Sequence, residues 1–211
     1  EQLARQIAVL RRHPAAATRP TEVTELGETE PEKAADQFSR DYCQMGLSGV
    51  TRAVWYPLNE RGDNLVPLIA PDGQPTGAGR AWQLIAERME GRDVVDAAPD
   101  QFSYGCRFGD DVLVLWGEGR PVAVDDTVMV FDAEGRPVEP PYALSPEVPL
   151  IFVREGHGVE DAVTVAPSGL VAHSFHQYAY PTTDEAQTEG DAFERFARSD
   201  GEVIPLVTLL G

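Results

Sequence analysis

The sequence predicts an α/β segment followed by an all-β segment, and three observations carry that expectation. Helical and extended patterns alternate from Glu1 to about Arg92, the order expected of a parallel sheet with helices between its strands. From Val94 to Val153 only short strands and turns remain, with no helical period. The pattern changes between Gly91 and Pro99, where glycine and proline interrupt regular structure.

The α/β part is read in order. Glu1 to His13 places Leu3, Ile7 and Leu10 on one helical face, and Pro14 ends the run. Arg19 to Leu26 is partly β-branched and reads as a strand. From Pro31 the pattern is helical again, with acids Glu30 and Glu32 at the positive end and a stripe of Ala34, Phe38, Tyr42 and Met45. Val50 to Leu58 is a second strand, and its run Val54-Trp55-Tyr56 suits a parallel strand buried on both faces. A proline-rich loop leads to a helix from about Ala78 to Glu90, with Ala78, Trp82, Ile85 and Met89 as its apolar stripe.

In the all-β part, Phe102 to Phe108 and Val112 to Trp116 flank Gly109-Asp110-Asp111 and read as a hairpin. Thr127 to Asp132 and Leu150 to Val153 are further strands, and short strands at this spacing suggest an antiparallel β-sandwich. A third stretch starts near Gly156 and includes the strand-like Val163 to Val165 and an aromatic- and histidine-rich run, Leu170 to Tyr180. The expected division is therefore 1–92, 93–155 and 156–211. The last piece is small for an independent core and reads as the truncated beginning of a further β module.

The formal net charge is −18, from 17 basic and 35 acidic residues. Such a polyanion repels nucleic acid and anionic membrane surfaces, so neither is an expected partner. No run of 18 apolar residues occurs, and the start at Glu1 suggests processing or a fragment. Cys43 and Cys106 share no CxxC spacing, which disfavours zinc and leaves two buried, unpaired thiols as the expectation. His173-x-x-His176 falls in a strand-like context that puts the two rings on opposite faces, against a metal site. Asp110, Asp111, Asp125 and Asp126 read as solvated turns rather than a calcium site. Ser48 and Ser168 lack an evident base, and Gly117-x-Gly119 reads as a turn. No cofactor and no metal are expected.

Pro20-Thr21-Glu22-Val23-Thr24-Glu25-Leu26-Gly27 is the most informative segment. Acids are poor strand formers, yet Glu22 and Glu25 lie within and at the end of a strand. At the C-terminal end of a parallel strand, Glu25 occupies a position that serves catalysis in barrels, with solvation as the competing explanation. Trp55 and Tyr56 close the next strand, where a flat aromatic can stack on a sugar ring or simply pack in a core.

Pro20 to Gly27 resembles the seventh-strand motif of clan A glycoside hydrolases, the group that includes family 5 endoglucanases and family 39 xylosidases. The resemblance implies a (β/α)8 barrel whose last βα units are residues 1–92, with Glu25 of Thr24-Glu25-x-Gly27 as catalytic nucleophile. Val50 to Tyr56 resembles the eighth strand, which makes Trp55, beside Tyr56, the floor of a sugar subsite. Leu65 to Gln74 followed by Gly77-x-Gly79-x-Ala81-Trp82 resembles the lead into the last barrel helix. Val112 to Trp116 and Val130-Phe131-Asp132-x-x-Gly135 resemble parts of the β module that follows. The resemblance implies a carbohydrate substrate, a retaining two-carboxylate mechanism with carboxyl groups about 5 Å apart, and an extracellular or cell-surface location. The acid/base Asn-Glu of the fourth strand would lie upstream. Asn59-Glu60 follows the eighth strand and is not that pair, so this chain alone is expected to be inactive. The rival reading is a non-catalytic carbohydrate-binding or structural β-sandwich protein.

Overall fold

A computed structural model describes residues 2–156, 158–170, 195–197 and 203–205. Two compact units are present, Glu1–Pro167 and Ser168–Gly211. The first opens with α1 (Gln2–Arg11), β1 (Thr21–Leu26), α2 (Ala34–Leu47), β2 (Val50–Trp55) and α3 (Gly77–Arg88), the alternation expected from the sequence. Its boundaries have local causes. Pro20 has no N–H to give a ladder, so pairing starts at Thr21. Residues 31–33 form a turn, closed by the Lys33 N–H on Glu30 O at 3.0 Å, before α2 begins. Thr76 caps α3 by accepting the Gly79 N–H at 3.1 Å.

β3 (Val94–Asp96), β4 (Ser103–Phe108), β5 (Val112–Gly117), β6 (Pro121–Val124), β7 (Met129–Phe131), β8 (Tyr142–Ala143), β9 (Leu150–Val153) and β10 (Val163–Val165) follow. They form an antiparallel five-stranded sheet in the order β3-β4-β5-β9-β7 and a three-stranded sheet in the order β10-β6-β8. The hairpin of β4 and β5 and the strand Leu150–Val153 stand where the sequence placed them. β10 pairs with β6, so Val163–Val165 belong to the first unit, beyond the 155/156 boundary expected from the sequence.

Two cores share the five-stranded sheet. Val112, Val114 and Trp116 of β5, with Ile151 and Val153 of β9, pack against Ala34, Phe38, Ala78, Ala81 and Ile85 of the helices. The alternate residues, Leu113, Leu115, Leu150 and Phe152, meet Val122, Val128, Leu144 and Val159 on the other face. The period of two along a strand thus divides one apolar run between two cores. This is why Val112 to Trp116 shows no polar alternation: every residue of β5 is buried.

Cys43 of α2 and Cys106 of β4 form a disulfide, which corrects the expectation of unpaired thiols. Their separation of 63 residues conceals the pairing in the sequence; α2 lying over β4 brings the Cα atoms to 5.9 Å. Arg80 of α3 makes a second tie, its Nε donating to Glu134 Oε2 at 2.8 Å in the turn after β7. Residues 1–92 and 93–155 are therefore joined by a common core, a covalent bond and an ion pair. Arg120, 5% exposed, braces the other core, with Nη1 2.5 Å from Asp100 Oδ2 and 3.1 Å from the Ala166 carbonyl.

Two expected apolar faces differ. Trp82 is 50% exposed, and the buried face of α3 is Ala78, Gly79, Ala81 and Ile85, the first three being small residues that let the helix lie close to its neighbours. On α1, Ile7 is buried but Leu10 is 59% exposed. The second unit contains β11 (Arg195–Ala197) and β12 (Val203–Pro205), an antiparallel pair. His173 and His176 lie outside the described residues.

Candidate functional site

β1 and β2 pair in parallel and form a two-stranded sheet of their own. Val23 stands opposite Ala53, and Leu26 opposite Trp55. Three steps along β1 thus match two along β2, which leaves one extra residue in β1 within Thr24-Glu25. A bulge of this kind re-aims side chains and ends regular pairing. Glu25 sits in it, exposed, one residue from the strand's C-terminal end. Glu22 is also exposed, further back on the strand. Gly27 follows because only hydrogen fits: a Cβ there would lie 2.8 Å from the Tyr56 carbonyl oxygen. The close crossing of the two strand ends, rather than an unusual backbone angle, requires the glycine.

The second strand was expected to be buried on both faces, yet Val54 is 39% exposed and only Trp55 of β2 is buried. Among the described residues β1 is its one partner strand, and Val50 to Val54 are exposed or half-buried along it. Trp55 is 8% exposed, with its ring 4.7 Å from that of Phe38 and its indole Nε1–H donating to the Val66 carbonyl at 2.9 Å. Of the two readings of Trp55, sugar platform or core packing, this geometry matches core packing. Tyr56 is half-buried beside it, held by its N–H on Leu26 O at 2.7 Å.

The loop from Pro57 to Thr76 forms a fixed rim beyond the strand ends. The Val66 N–H reaches Glu28 O at 2.7 Å, Leu68 N–H reaches Pro57 O at 3.1 Å, and Ile69 N–H reaches Leu58 O at 2.9 Å. Thr76 Oγ1 donates to Pro67 O at 2.6 Å. α3 presses on the same loop, for a Cβ at Gly79 would come 2.1 Å from the Leu68 carbonyl oxygen. Asn59-Glu60 lies on this rim, with Asn59 bridged to Ile69 and Glu60 exposed.

Glu28 is a residue that the sequence reading passed over. Its Oε1 accepts the N–H groups of Glu30 at 3.1 Å and Thr29 at 2.6 Å, and these bonds hold the carboxyl below the usual glutamate range. It shapes the turn beyond β1 as a charged acceptor. An acid directly after Glu25-x-Gly27 was the signal available, but nothing in the sequence shows a carboxylate folding back on its own backbone.

Two adjoining clefts lie on the rim, of about 300 Å³ and about 590 Å³, and share Glu60, Gly62, Ala70 and Pro71 as a common wall. Neither is lined by Glu25. Elsewhere, Asp110 and Asp111 are paired with Arg107 and Arg92, and Asp125 Oδ1 accepts the Thr127 N–H at 3.0 Å. No group of three or more His, Cys, Asp or Glu suited to a metal occurs among the described residues. No helix among them is long and apolar enough to cross a membrane.

No family model and no curated protein sequence matches the chain. Among solved structures, the chain is similar to a family 39 glycoside hydrolase from the gut symbiont Bacteroides cellulosilyticus WH2, with a TM-score of 0.57 and 17% identity. The match covers 72% of this chain and 37% of that one, so the chain spans little more than a third of that enzyme's length. At this identity the likeness is one of fold: the mixed, sheet-rich architecture corresponds to part of a family 39 glycoside hydrolase.

Proposed function

We propose that this chain is part of a glycoside hydrolase that cleaves O-glycosidic bonds in oligo- or polysaccharides with retention, and that Glu25 is its nucleophile. The observation that carries the proposal is the bulge that sets Glu25 at the exposed C-terminal end of a parallel strand. Residues 1–92 serve as the last βα units of a barrel, and residues 93–155 as the sandwich packed behind them. The fold likeness to a family 39 enzyme supports this arrangement.

In this reading the Glu25 carboxylate attacks the anomeric carbon while a second carboxylic acid, supplied from upstream, protonates the departing oxygen. A glycosyl ester on Glu25 results, and water, deprotonated by the second carboxylate, then releases the sugar and frees Glu25. Tyr56 is the aromatic with surface left to meet a sugar, whereas Trp55 supports the rim from beneath. The Cys43–Cys106 disulfide supports an extracellular or cell-surface location, because such bonds persist in oxidising compartments.

The test joins this chain to the βα units that complete its barrel and assays hydrolysis with and without Glu25→Gln. The variant is expected to lose at least about a thousandfold in kcat. A 2-deoxy-2-fluoro glycoside should label the peptide containing Glu25 in the unsubstituted protein. Undiminished hydrolysis by the variant, or a label on another residue, overturns the assignment.

A further inference from the structure

The rim beyond β2 holds a groove that the nucleophile reading leaves unused. Its two lobes, about 300 Å³ and about 590 Å³, meet at Glu60. Together they exceed the size that one pyranose ring needs, and cavities of this order are those that take small ligands. The walls are preformed, since hydrogen bonds tie Val66 to Glu28 just beyond β1, Leu68 and Ile69 to Pro57 and Leu58 just beyond β2, and Thr76, the cap of α3, to Pro67. A connection this long without helix or strand is usually functional when it is this well tied.

The lining has a definite chemistry. Pro31, Pro67, Pro71 and Leu65 present aliphatic surface, while the Glu60 carboxylate and the Asn64 amide supply hydrogen-bonding groups. Asn64 holds a backbone φ of 62°, a left-handed conformation that asparagine adopts more readily than most residues. Among the described residues, no lysine, arginine or histidine lines either lobe. Arg61 neighbours Glu60, but it is exposed and outside the lining, and Asp63 and Asp72 make the loop net acidic. An anionic ligand would meet a carboxylate without a compensating cation. A neutral polyhydroxylated ligand can donate its hydroxyls to Glu60 and lay its C–H surface on the prolines.

We propose that this groove is a binding site for a neutral oligosaccharide, separate from Glu25, and that it selects against uronic-acid and sulfated glycans. The choice of a saccharide rests on the glycoside hydrolase reading; the location and the charge preference rest on the groove itself.

The whole chain should be titrated by calorimetry with xylo-, cello- and manno-hexaose and with oligogalacturonate of the same length. At least one neutral hexaose is expected to bind with a dissociation constant in the micromolar to millimolar range, and oligogalacturonate at least about tenfold more weakly. Glu60→Ala and Asn64→Gly should each weaken the neutral ligand about fivefold or more without moving the melting temperature, since both residues are exposed and glycine keeps the positive φ. Glu60→Gln should narrow the gap between neutral and acidic ligands. No binding across the neutral panel, equal binding of oligogalacturonate, or unchanged binding by both variants overturns the proposal. Binding without hydrolysis in the completed barrel would remove the nucleophile reading alone; hydrolysis without binding by this chain would remove the groove alone.

Discussion

β5 and β2 are both six-residue strands with valines and a tryptophan, but β2 also carries Thr51 and Arg52, and their surroundings differ as much as their sequences. Val114 of β5 is 1% exposed, whereas Val54 of β2 is 39% exposed. β5 lies between two neighbours and two cores, while β2 has a single partner strand and, Trp55 apart, exposed or half-buried residues among those described. The difference shows that an apolar run states what a strand can bury, and its neighbours decide what it does bury. The residues proposed to carry chemistry belong to the open pair, and the closed sheet holds that pair's helices in place.

The comparison breaks if the two regions respond alike to truncation. Phe152 of β9 is fully buried between β5 and the three-stranded sheet, so Phe152→Ala should cost about 3–5 kcal/mol through lost transfer energy and a residual cavity. In a domain of this size each kcal/mol lowers the melting temperature by about 2–4 °C. Val54→Ala should cost under about 1 kcal/mol, because much of that side chain is already in water. Thermal unfolding followed by circular dichroism measures both. Equal losses would mean that β2 is covered by something outside the described residues.

The disulfide joins the two regions and gives the next largest effect. Closing 63 residues between Cys43 and Cys106 restricts the unfolded chain by about 4 kcal/mol on the loop-entropy estimate. The double variant Cys43→Ala/Cys106→Ala should therefore melt lower by about 8–16 °C, an upper figure because residual structure in the unfolded chain reduces the entropy the bond removes. Free-thiol titration of the denatured, unreduced chain sharpens the point: no reactive thiol is expected, and two would remove the bond.

Much of this architecture was legible in the sequence. The alternation from α1 to α3 follows from apolar spacing, and the β4–β5 hairpin follows from Gly109-Asp110-Asp111. Glu25 stood out because a carboxylate is out of place in a strand. What stayed hidden depends on contacts distant in sequence. The disulfide needs the crossing of α2 over β4, and the pairing of β10 with β6 needs a partner about forty residues away. β6 has four residues and β8 two, too few for a period to announce them. Trp82 misled because its spacing matches Ala78 and Ile85, although only small residues fit where α3 lies closest to its neighbours. The groove was invisible because it is built from loop backbone rather than from a pattern.

A small, pH-dependent effect concerns the joint between helices and sheet, and its sign is set by burial. Asp36 in the first turn of α2 is pushed up to about 6, first by desolvation and then by Asp132 and Glu134 of the turn after β7, against Arg40 and Arg136. Its native pKa lies above the unfolded value, so the folded state binds the extra proton between pH 4 and 6. Stability from this group is therefore present at low pH and is lost as pH rises through about 6. Asp41 is shifted the same way by burial, whereas Asp100, held low by Arg120, acts in the opposite sense and loses its contribution on acidification. Asp36→Asn removes the charge at the joint without removing the amide-sized side chain. At pH 7.5 it should raise stability by about 1 kcal/mol, the shift being discounted for the half-exposed position. At pH 4, where Asp36 is already neutral, the variant and the unsubstituted chain should melt together. A variant less stable than the parent at pH 7.5 would mean that the ionised Asp36 is held by Arg40 and Arg136 more strongly than burial opposes it.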